Sequence, residues 1–375
     1  MENLDEMYMK MALELAEKGA GQVSPNPMVG AVIVKEGRVI GQGWHQKYGG
    51  PHAERNALAD CRESPEGAVM YVTLEPCCHH GHQPPCTDAI LEAGIRRVVS
   101  GCKDPNPLVG GKGIRLLRDH GVEVTEGVLE EECRALNRVF FHFIRTKRPY
   151  VTMKYAMTMD GKIAAFTGAS RWITGEEARA HVHLQRSRNR GIMAGIGTVL
   201  ADDPLLTCRM DGGQNPVRII CDSHLRLPLD SRIATTAGDV PTILAVCSEP
   251  MQPSDTDRAD TLEERIKPYL EKGCRILTLP KRDGHIDPEQ LMDALGREGI
   301  DSILLEGGGT LNWSMLKAGL VRRLQLYLAP MILGGETAKT PVEGQGCPSP
   351  AEGFFLRNSR ITRLGQDLLI ESEVC

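Results

Sequence analysis

The sequence predicts an α/β protein built as two domains. Short runs of branched and aliphatic residues alternate with segments of helical periodicity along most of the chain, a pattern that favours sheets covered by helices on both faces. The alternation breaks once, at Arg145-Thr146-Lys147-Arg148-Pro149, and restarts at Tyr150. A length of 375 residues also exceeds what one hydrophobic core usually serves. We therefore expect domains at 1–146 and 147–375.

In the first domain, Leu4, Met7, Tyr8, Met11 and Leu15 recur at helical spacing, and Gly19 to Gly21 end that helix. Ser24-Pro25-Asn26-Pro27 reads as a rigid loop. Val29 to Val34 and Arg38 to Gly41 form a hairpin about Glu36-Gly37. A helix over 52–61 carries His52 and Glu54 in its first turn. A strand (68–74), a helix (87–93), a strand (97–101), the loop Asp104-Pro105-Asn106-Pro107, a helix (112–120) and a strand (122–125) follow. One helix over 130–144 closes the domain.

The second domain opens with a strand over 150–156. Further strands are expected at 191–195, 217–221, 242–247, 275–279, 301–305, 323–329 and 368–373, and helices at 175–189, 261–272, 288–298 and 311–318. The polar stretch 248–260 and the Gly- and Pro-rich stretch 334–353 read as loops. The halves share no motif, so the chain reads as a fusion and not a duplication.

Composition narrows the function. A net charge of −5 disfavours general nucleic-acid binding. No run of about 18 apolar residues is present to span a membrane, and the acidic N-terminus has no secretory core. Twelve cysteines, most of them among apolar residues, read as buried reduced thiols and fit the cytosol.

The chemistry of the first half lies in Pro51-His52-Ala53-Glu54 and Glu75-Pro76-Cys77-Cys78-His79-His80-Gly81-His82-Gln83-Pro84-Pro85-Cys86. Zinc takes nitrogen and sulfur ligands tetrahedrally, and a catalytic site keeps one position open. His52, Cys77 and Cys86 fit that rule. Glu54, two residues past the histidine, is placed to move protons without being a ligand, the arrangement of hydrolytic deamination. A structural knot would close with four protein ligands and leave Glu54 without a task. Cys86 at a helix start favours its thiolate. Residues 78–85 between the cysteines should form a loop at the mouth of the site, where substrate is selected.

Three stretches stand out in the second half: Met157 to Lys162, Ala194 to Pro204, and Ile303 to Asn312, where a strand meets three glycines and then a helix. Glycines let backbone approach a phosphate closely at a helix start. The Rossmann fingerprint is absent. Together the three suggest a nucleotide-cofactor cleft, although each alone reads as a turn or loop. From these motifs, a nucleoside deaminase joined to an unrelated module and a zinc-stapled binding protein both stay open, with Glu54 arguing against the second.

The N-terminal half resembles the cytidine-deaminase-like zinc hydrolases. Its long Glu75–Cys86 stretch, with Ser24-Pro-Asn-Pro and Asp104-Pro-Asn-Pro, resembles the pyrimidine deaminases of riboflavin biosynthesis. Arg148-Pro-Tyr-Val-Thr-Met-Lys, Arg171-Trp-Ile-Thr-Gly, Gly197-Thr-Val-Leu-Ala-Asp-Asp-Pro and Glu306-Gly-Gly-Gly are similar to the reductase partner, which has a dihydrofolate-reductase-like α/β fold and uses NADPH. The resemblance implies a three-layer deaminase domain followed by that reductase domain, with Zn2+ and NADPH as cofactors. It implies Zn2+ on His52, Cys77 and Cys86, with Glu54 as proton shuttle. Asn26, His79, Asp104 and Asn106 would hold the pyrimidine and ribose. Ala156, Trp172, Thr198, Asp202 and the segment Gly308, Gly309, Thr310, Leu311, Asn312, Trp313 and Ser314 would line NADPH, with Asp202 also assisting hydride transfer. Ser170, Arg186, Leu206, Arg209 and Glu306 would meet the substrate, the two arginines suiting its phosphate. The expected partners are a small phosphorylated pyrimidine and further copies of the chain in the cytoplasm, with no nucleic acid and no membrane.

The family commonly places Lys or Arg then Thr where this chain has His82-Gln83. Histidine loses its charge as pH rises through about 6.5. The deaminase KM should therefore climb between about pH 6 and about pH 8.5, and climb less in His82→Lys. Superimposable profiles for the two proteins would refute this.

Overall fold

A computed structural model describes residues 3–80, 83–106, 109–248 and 261–375. His82 and all but Ser248 of the expected loop at 248–260 lie outside the described residues. The chain divides into two compact units, Met1–Lys147 and Arg148–Cys375.

The first unit contains α1 (Leu4–Glu17), β1 (Gly30–Lys35), β2 (Arg38–Trp44), α2 (Ala53–Ala59), β3 (Val69–Leu74), α3 (Cys86–Glu92), β4 (Arg97–Cys102), α4 (Lys112–Asp119), β5 (Glu123–Glu126), α5 (Glu130–Leu136) and α6 (Arg138–Thr146). Its sheet runs β2-β1-β3-β4-β5, antiparallel across β2, β1 and β3 and parallel from β3 to β5. Glu36 and Gly37 take φ of 50° and 76°, the positive pair whose twist suits a two-residue hairpin. α1 and α5 cover one face, and α2, α3 and α4 the other, giving three layers. The core is aliphatic: Ile33, Met70, Val72, Ile90, Val98 and Leu117 are all fully buried. Burial of each such side chain contributes about 1.5–3 kcal/mol.

The helix expected over 130–144 is two helices. Asn137 breaks it because its buried amide does other work, accepting from Met28 N at 2.8 Å and donating to Met28 O at 2.8 Å. That tertiary bond ties the end of the unit to the loop before β1.

The second unit contains β6 (Tyr150–Thr158), α7 (Glu176–Arg188), β7 (Gly191–Gly195), α8 (Ile196–Asp202), β8 (Val217–Cys221), α9 (Arg232–Thr235), β9 (Thr242–Cys247), α10 (Leu262–Glu271) and β10 (Arg275–Leu279). There follow β11 (Lys281–Arg282), β12 (His285–Ile286), α11 (Pro288–Arg297), β13 (Ser302–Leu305), α12 (Gly309–Lys317), β14 (Val321–Ala329), β15 (Leu356–Leu364) and β16 (Asp367–Val374). The main sheet runs β10-β9-β8-β7-β13-β6-β14-β16-β15. It is parallel from β10 to β14 and antiparallel beyond. Parallel strands end on one side, so the loops after β6, β7, β8 and β13 share one edge, the usual ligand side of such sheets.

Five elements are absent from the expectation: the short α9, β11 and β12, of four, two and two residues, and α8 and β15. Residues 196–202, read as a loop, form α8: Ile196 and Val199 bury one turn apart, and Asp203 at φ 39° ends the helix. β15 is a strand the periodicity missed, because almost all of its residues are exposed and no apolar face alternates. It is held as an edge strand by β16. Arg218 is fully buried and has no carboxylate partner among the described residues. Its guanidinium donates to Thr242 Oγ1, Thr236 Oγ1 and the carbonyls of Leu205, Ile233 and Val240. Burial pushes its pKa down to about 10. Among the described residues, no helix is long and apolar enough to cross a membrane.

Gly43 lets α2 lie flat on β2. A Cβ there would collide with Ala57 N and sit 2.8 Å from Ala53 O. Gly43→Ala should therefore lower the stability of the first unit by about 1–3 kcal/mol, read as a drop in its denaturation midpoint. An unchanged midpoint would show that α2 has room to move.

Candidate active sites

In the first unit, His52 is the N-cap of α2, Cys86 begins α3, and Cys77 lies just past β3. These three sequence-predicted ligands converge: their donor atoms all lie within 4.8 Å of one another. His52 Nδ1 is 3.5 Å from Cys77 Sγ and 3.3 Å from Cys86 Sγ. A tetrahedral zinc with ordinary bond lengths would separate nitrogen from sulfur by roughly 3.6 Å, so the trio fits that ion. Electrostatics agree. Cys77 is drawn down to about 4, chiefly because Cys86 donates to it, while Cys86 is driven up by the same contact. Two thiols this close ionise together only around a cation. The Cys86 backbone N–H also donates to Cys77 Sγ at 3.4 Å.

Glu54 sits in the first turn of α2, 3% exposed, facing both thiols. Burial pushes its carboxyl up to about 6, with Cys77 adding to the rise. A carboxyl poised near neutrality can both take and return a proton.

Of the pyrimidine candidates, Asn26 donates from Nδ2 to His45 Nε2 at 3.2 Å, and His45 Nδ1–H bonds Pro51 O at 3.0 Å. The His45 ring stands edge-on to His52 at 5.4 Å. His45 is buried, and burial lowers its pKa and keeps it neutral, as its two bonds require. Sequence reading missed it: a histidine at a strand end looks like any core histidine. His79 Nδ1 is buried with no hydrogen-bond partner among the described residues, as a ligand-facing atom would be. Asp104 Oδ1 accepts Asn106 N at 2.7 Å, and burial pushes Asp104 up to about 6. The loop between the cysteines is held from outside by Arg55, which donates to Pro84 O at 3.3 Å and Pro85 O at 2.9 Å.

In the second unit, the candidates gather where β6, β7 and β13 end. Ala156 lies on β6 opposite Tyr327. Thr198 and Asp202 are on α8, directly after β7. Thr198 Oγ1 accepts Gly308 N at 3.1 Å, which joins the two predicted glycine-rich stretches. Asp202 Oδ1 accepts Ser170 Oγ at 3.1 Å. Trp172 is exposed, with the Arg179 guanidinium 4.6 Å from its ring centre. Leu206 is buried at φ 50°. Gly308 precedes α12 and Gly309 begins it, and Asn312 leaves Oδ1 buried without a partner among the described residues. That open acceptor beside the glycine turn fits a bound cofactor. Leu311 faces Gly195 on β7. Trp313 instead packs on Phe354, 5.9 Å between rings, and Ser314 bonds back to Thr310 O at 3.0 Å.

Arg186, one of the two arginines expected at the substrate phosphate, pairs with a carboxylate in this structure. It is bound by Glu306 through two bonds of 2.6 and 2.7 Å and by Thr207 O at 3.0 Å. Arg209 stands more open, 3.2 Å from His183 Nε2. Lys154, which sequence reading passed over as a strand residue, completes the cluster at 3.8 Å from Glu306. Burial pushes Glu306 up, but the Arg186 and Lys154 charges outweigh it and hold the carboxyl at about 2.

A depressed carboxyl stabilises the fold above its ordinary value of 4.5, and the gain disappears as pH falls to about 2. The stability difference between wild type and Glu306→Gln, followed by urea midpoints, should therefore shrink across that window. A constant difference would contradict the ion cluster.

A family model described as the RibD C-terminal domain matches residues 149–370, and one described as the cytidine and deoxycytidylate deaminase zinc-binding region matches residues 2–102. The chain is 48% identical over 371 residues to the riboflavin biosynthesis protein RibD of Actinobacillus pleuropneumoniae, covering 99% of this chain and 95% of that one. Among solved structures, Acinetobacter baumannii RibD matches with TM-score 0.85 at 33% identity, covering 99% of both chains. The Thermotoga maritima diaminohydroxyphosphoribosylaminopyrimidine deaminase/5-amino-6-(5-phosphoribosylamino)uracil reductase matches with TM-score 0.82 at 37% identity and the same coverage. The C-terminal match rules out an unrelated second module. Matched in both halves and along almost its whole length, the chain belongs to the RibD family of bifunctional riboflavin biosynthesis enzymes, with a zinc-binding deaminase half and a reductase half.

Proposed function

We propose that the two halves act in succession on one phosphorylated ribosylaminopyrimidine, with the roles below. The first half converts 2,5-diamino-6-(5-phosphoribosylamino)pyrimidin-4-one to its uracil form: a water oxygen adds to the amine-bearing ring carbon and ammonia leaves. The observation that carries this is the His52, Cys77 and Cys86 trio beside a carboxylate removed from water. A zinc ion held by these three supplies the Lewis acidity that makes water nucleophilic near neutral pH. Glu54 moves one proton from water to the ring nitrogen, then a second from the added hydroxyl to the departing amine, which leaves as ammonia. Asn26, His79, Asp104 and Asn106 orient the pyrimidine and ribose. His45 keeps Asn26 and the start of α2 in register through its two hydrogen bonds.

The second half reduces the ribosyl group to ribityl. The cofactor held in this half would be NADPH, which would supply the hydride needed to reduce C1′ of the sugar. Ala156, Trp172, Thr198, Asp202 and residues 308–314 bound its cleft, and the buried Asn312 Oδ1 supports that placement. A proton must reach the sugar ring oxygen as the ring opens. Asp202, held by Ser170, stands at the end of α8 for that task. Glu306, kept ionised by Arg186 and Lys154, meets the sugar together with Ser170 and Leu206. Arg209 meets the phosphate, and Arg186 acts on the substrate mainly through Glu306.

We extend the reading to a cytoplasmic homo-oligomer without a nucleic-acid partner. Twelve free cysteines, with Cys347 and Cys375 exposed, support a reducing compartment. The net charge of −5 supports the lack of nucleic acid. Sedimentation of the purified chain tests self-association.

Glu54→Gln should lower deamination by at least about 100-fold. Zinc content and NADPH oxidation on the deaminated intermediate should persist in the same protein. Ammonia release at the wild-type rate would remove Glu54 from the mechanism.

A further inference from the structure

Glu75 has no role in the chemistry derived so far, yet it is among the best-satisfied side chains of the first unit. It is 3% exposed and stands two residues before Cys77. Its carboxylate accepts four backbone N–H groups. Oε2 receives Asp104 N at 3.3 Å and Gly111 N at 2.9 Å. Oε1 receives Gly113 N at 3.1 Å and Ile114 N at 3.3 Å. The donors at 111–114 belong to the start of α4, where N–H groups have no partner within the helix. The donor at Asp104 opens the loop that leads to that helix.

Glu75 thus grips both ends of the loop carrying Asp104 and Asn106. Its own backbone is anchored in turn, since Glu75 N donates to Cys102 O at 2.9 Å, continuing the β3–β4 pairing. The contact behind it is equally close: a Cβ on Gly113 would collide with Pro76 O. Glu75-Pro76-Cys77 therefore meets the loop and helix start on one side and places a metal ligand on the other. Asp104 Oδ1 carries the constraint inward by accepting Asn106 N at 2.7 Å.

We propose that Glu75 is a positioning residue of the deaminase, which fixes the Asp104–Asn106 loop relative to Cys77 and so sets the pyrimidine in register with the metal site. The proposal rests on the reading of Asp104 and Asn106 as substrate contacts. A merely structural Glu75 would serve folding or zinc retention and leave substrate affinity alone. A positioning Glu75 acts on substrate binding while the zinc trio stays loaded.

The test uses the full chain, in which zinc content and the denaturation midpoint of the first unit report on its folding and the reductase reports on the second unit. Glu75→Gln keeps the shape but turns one acceptor oxygen into an amide donor facing two N–H groups. Gly113→Ala displaces the same helix start from the other side. Zinc content, deaminase KM and kcat, and reductase kcat/KM on the deaminated intermediate are measured for both, with Asn106→Ala as the direct probe of the loop. We expect deaminase KM to rise by about tenfold or more in Glu75→Gln and Gly113→Ala, with zinc content and reductase activity at wild-type values. Asn106→Ala should raise KM by itself. A raised KM in Asn106→Ala with wild-type KM in Glu75→Gln would overturn the positioning role alone. So would zinc loss in Glu75→Gln with a matching fall in kcat at constant KM. Wild-type KM in all three variants would overturn the substrate reading of the loop, and the proposal with it.

Discussion

A carboxylate taken out of water must find donors or counter-charges, and in both halves of the chain that requirement fixes the loops that carry the chemistry. Leaving such a group unanswered costs several kcal/mol. Glu75 is answered by four backbone N–H groups and Glu306 by a guanidinium and an ammonium. Both residues stand just after the last residue of a central strand, where the chain leaves the sheet. The sheet supplies a rigid base, and the buried charge then dictates where the next loop can lie. Glu54 is the contrasting case: burial raises its pKa, and its neighbours are thiols instead of a fixed cation of the protein. It is left able to exchange a proton.

The two units reach their sites by the same geometric route. In the first, β3 leads to Cys77 and β4 to Asp104. In the second, β6, β7 and β13 lead to Ala156, α8 and the glycine turn. Carboxyl ends of parallel strands collect on one edge, so residues far apart in sequence arrive together. Helix starts then add N–H groups or ligands: His52 and Cys86 at α2 and α3, Gly308 and Gly309 at α12.

Much of this is legible in the sequence. The His-x-Glu and the two cysteines marked the metal trio because few chemistries use that set. The 3.6 and 2 periodicities located most helices and strands. What escaped notice follows a physical pattern. β15 has no apolar face to alternate, and α8 hides among small residues and an Asp-Pro pair. Asn137 breaks a helix only because Met28 is there to bind it. His45 belongs to no motif, and Glu75 and Lys154 lie in motifs that gave them no role of their own; the importance of all three lies in partners distant along the chain.

Residue types, the order of most elements and the class of chemistry follow from local spacing and side-chain reactivity, and so are carried by the chain alone. Tertiary structure decided which charges meet. Arg186 pairs with Glu306, 120 residues away, so a guanidinium and a carboxylate from distant parts of the chain share one cluster. Such pairings depend on strand order and on burial, which strengthens a charge–charge contact far beyond its worth in water. Neither property can be read along the chain.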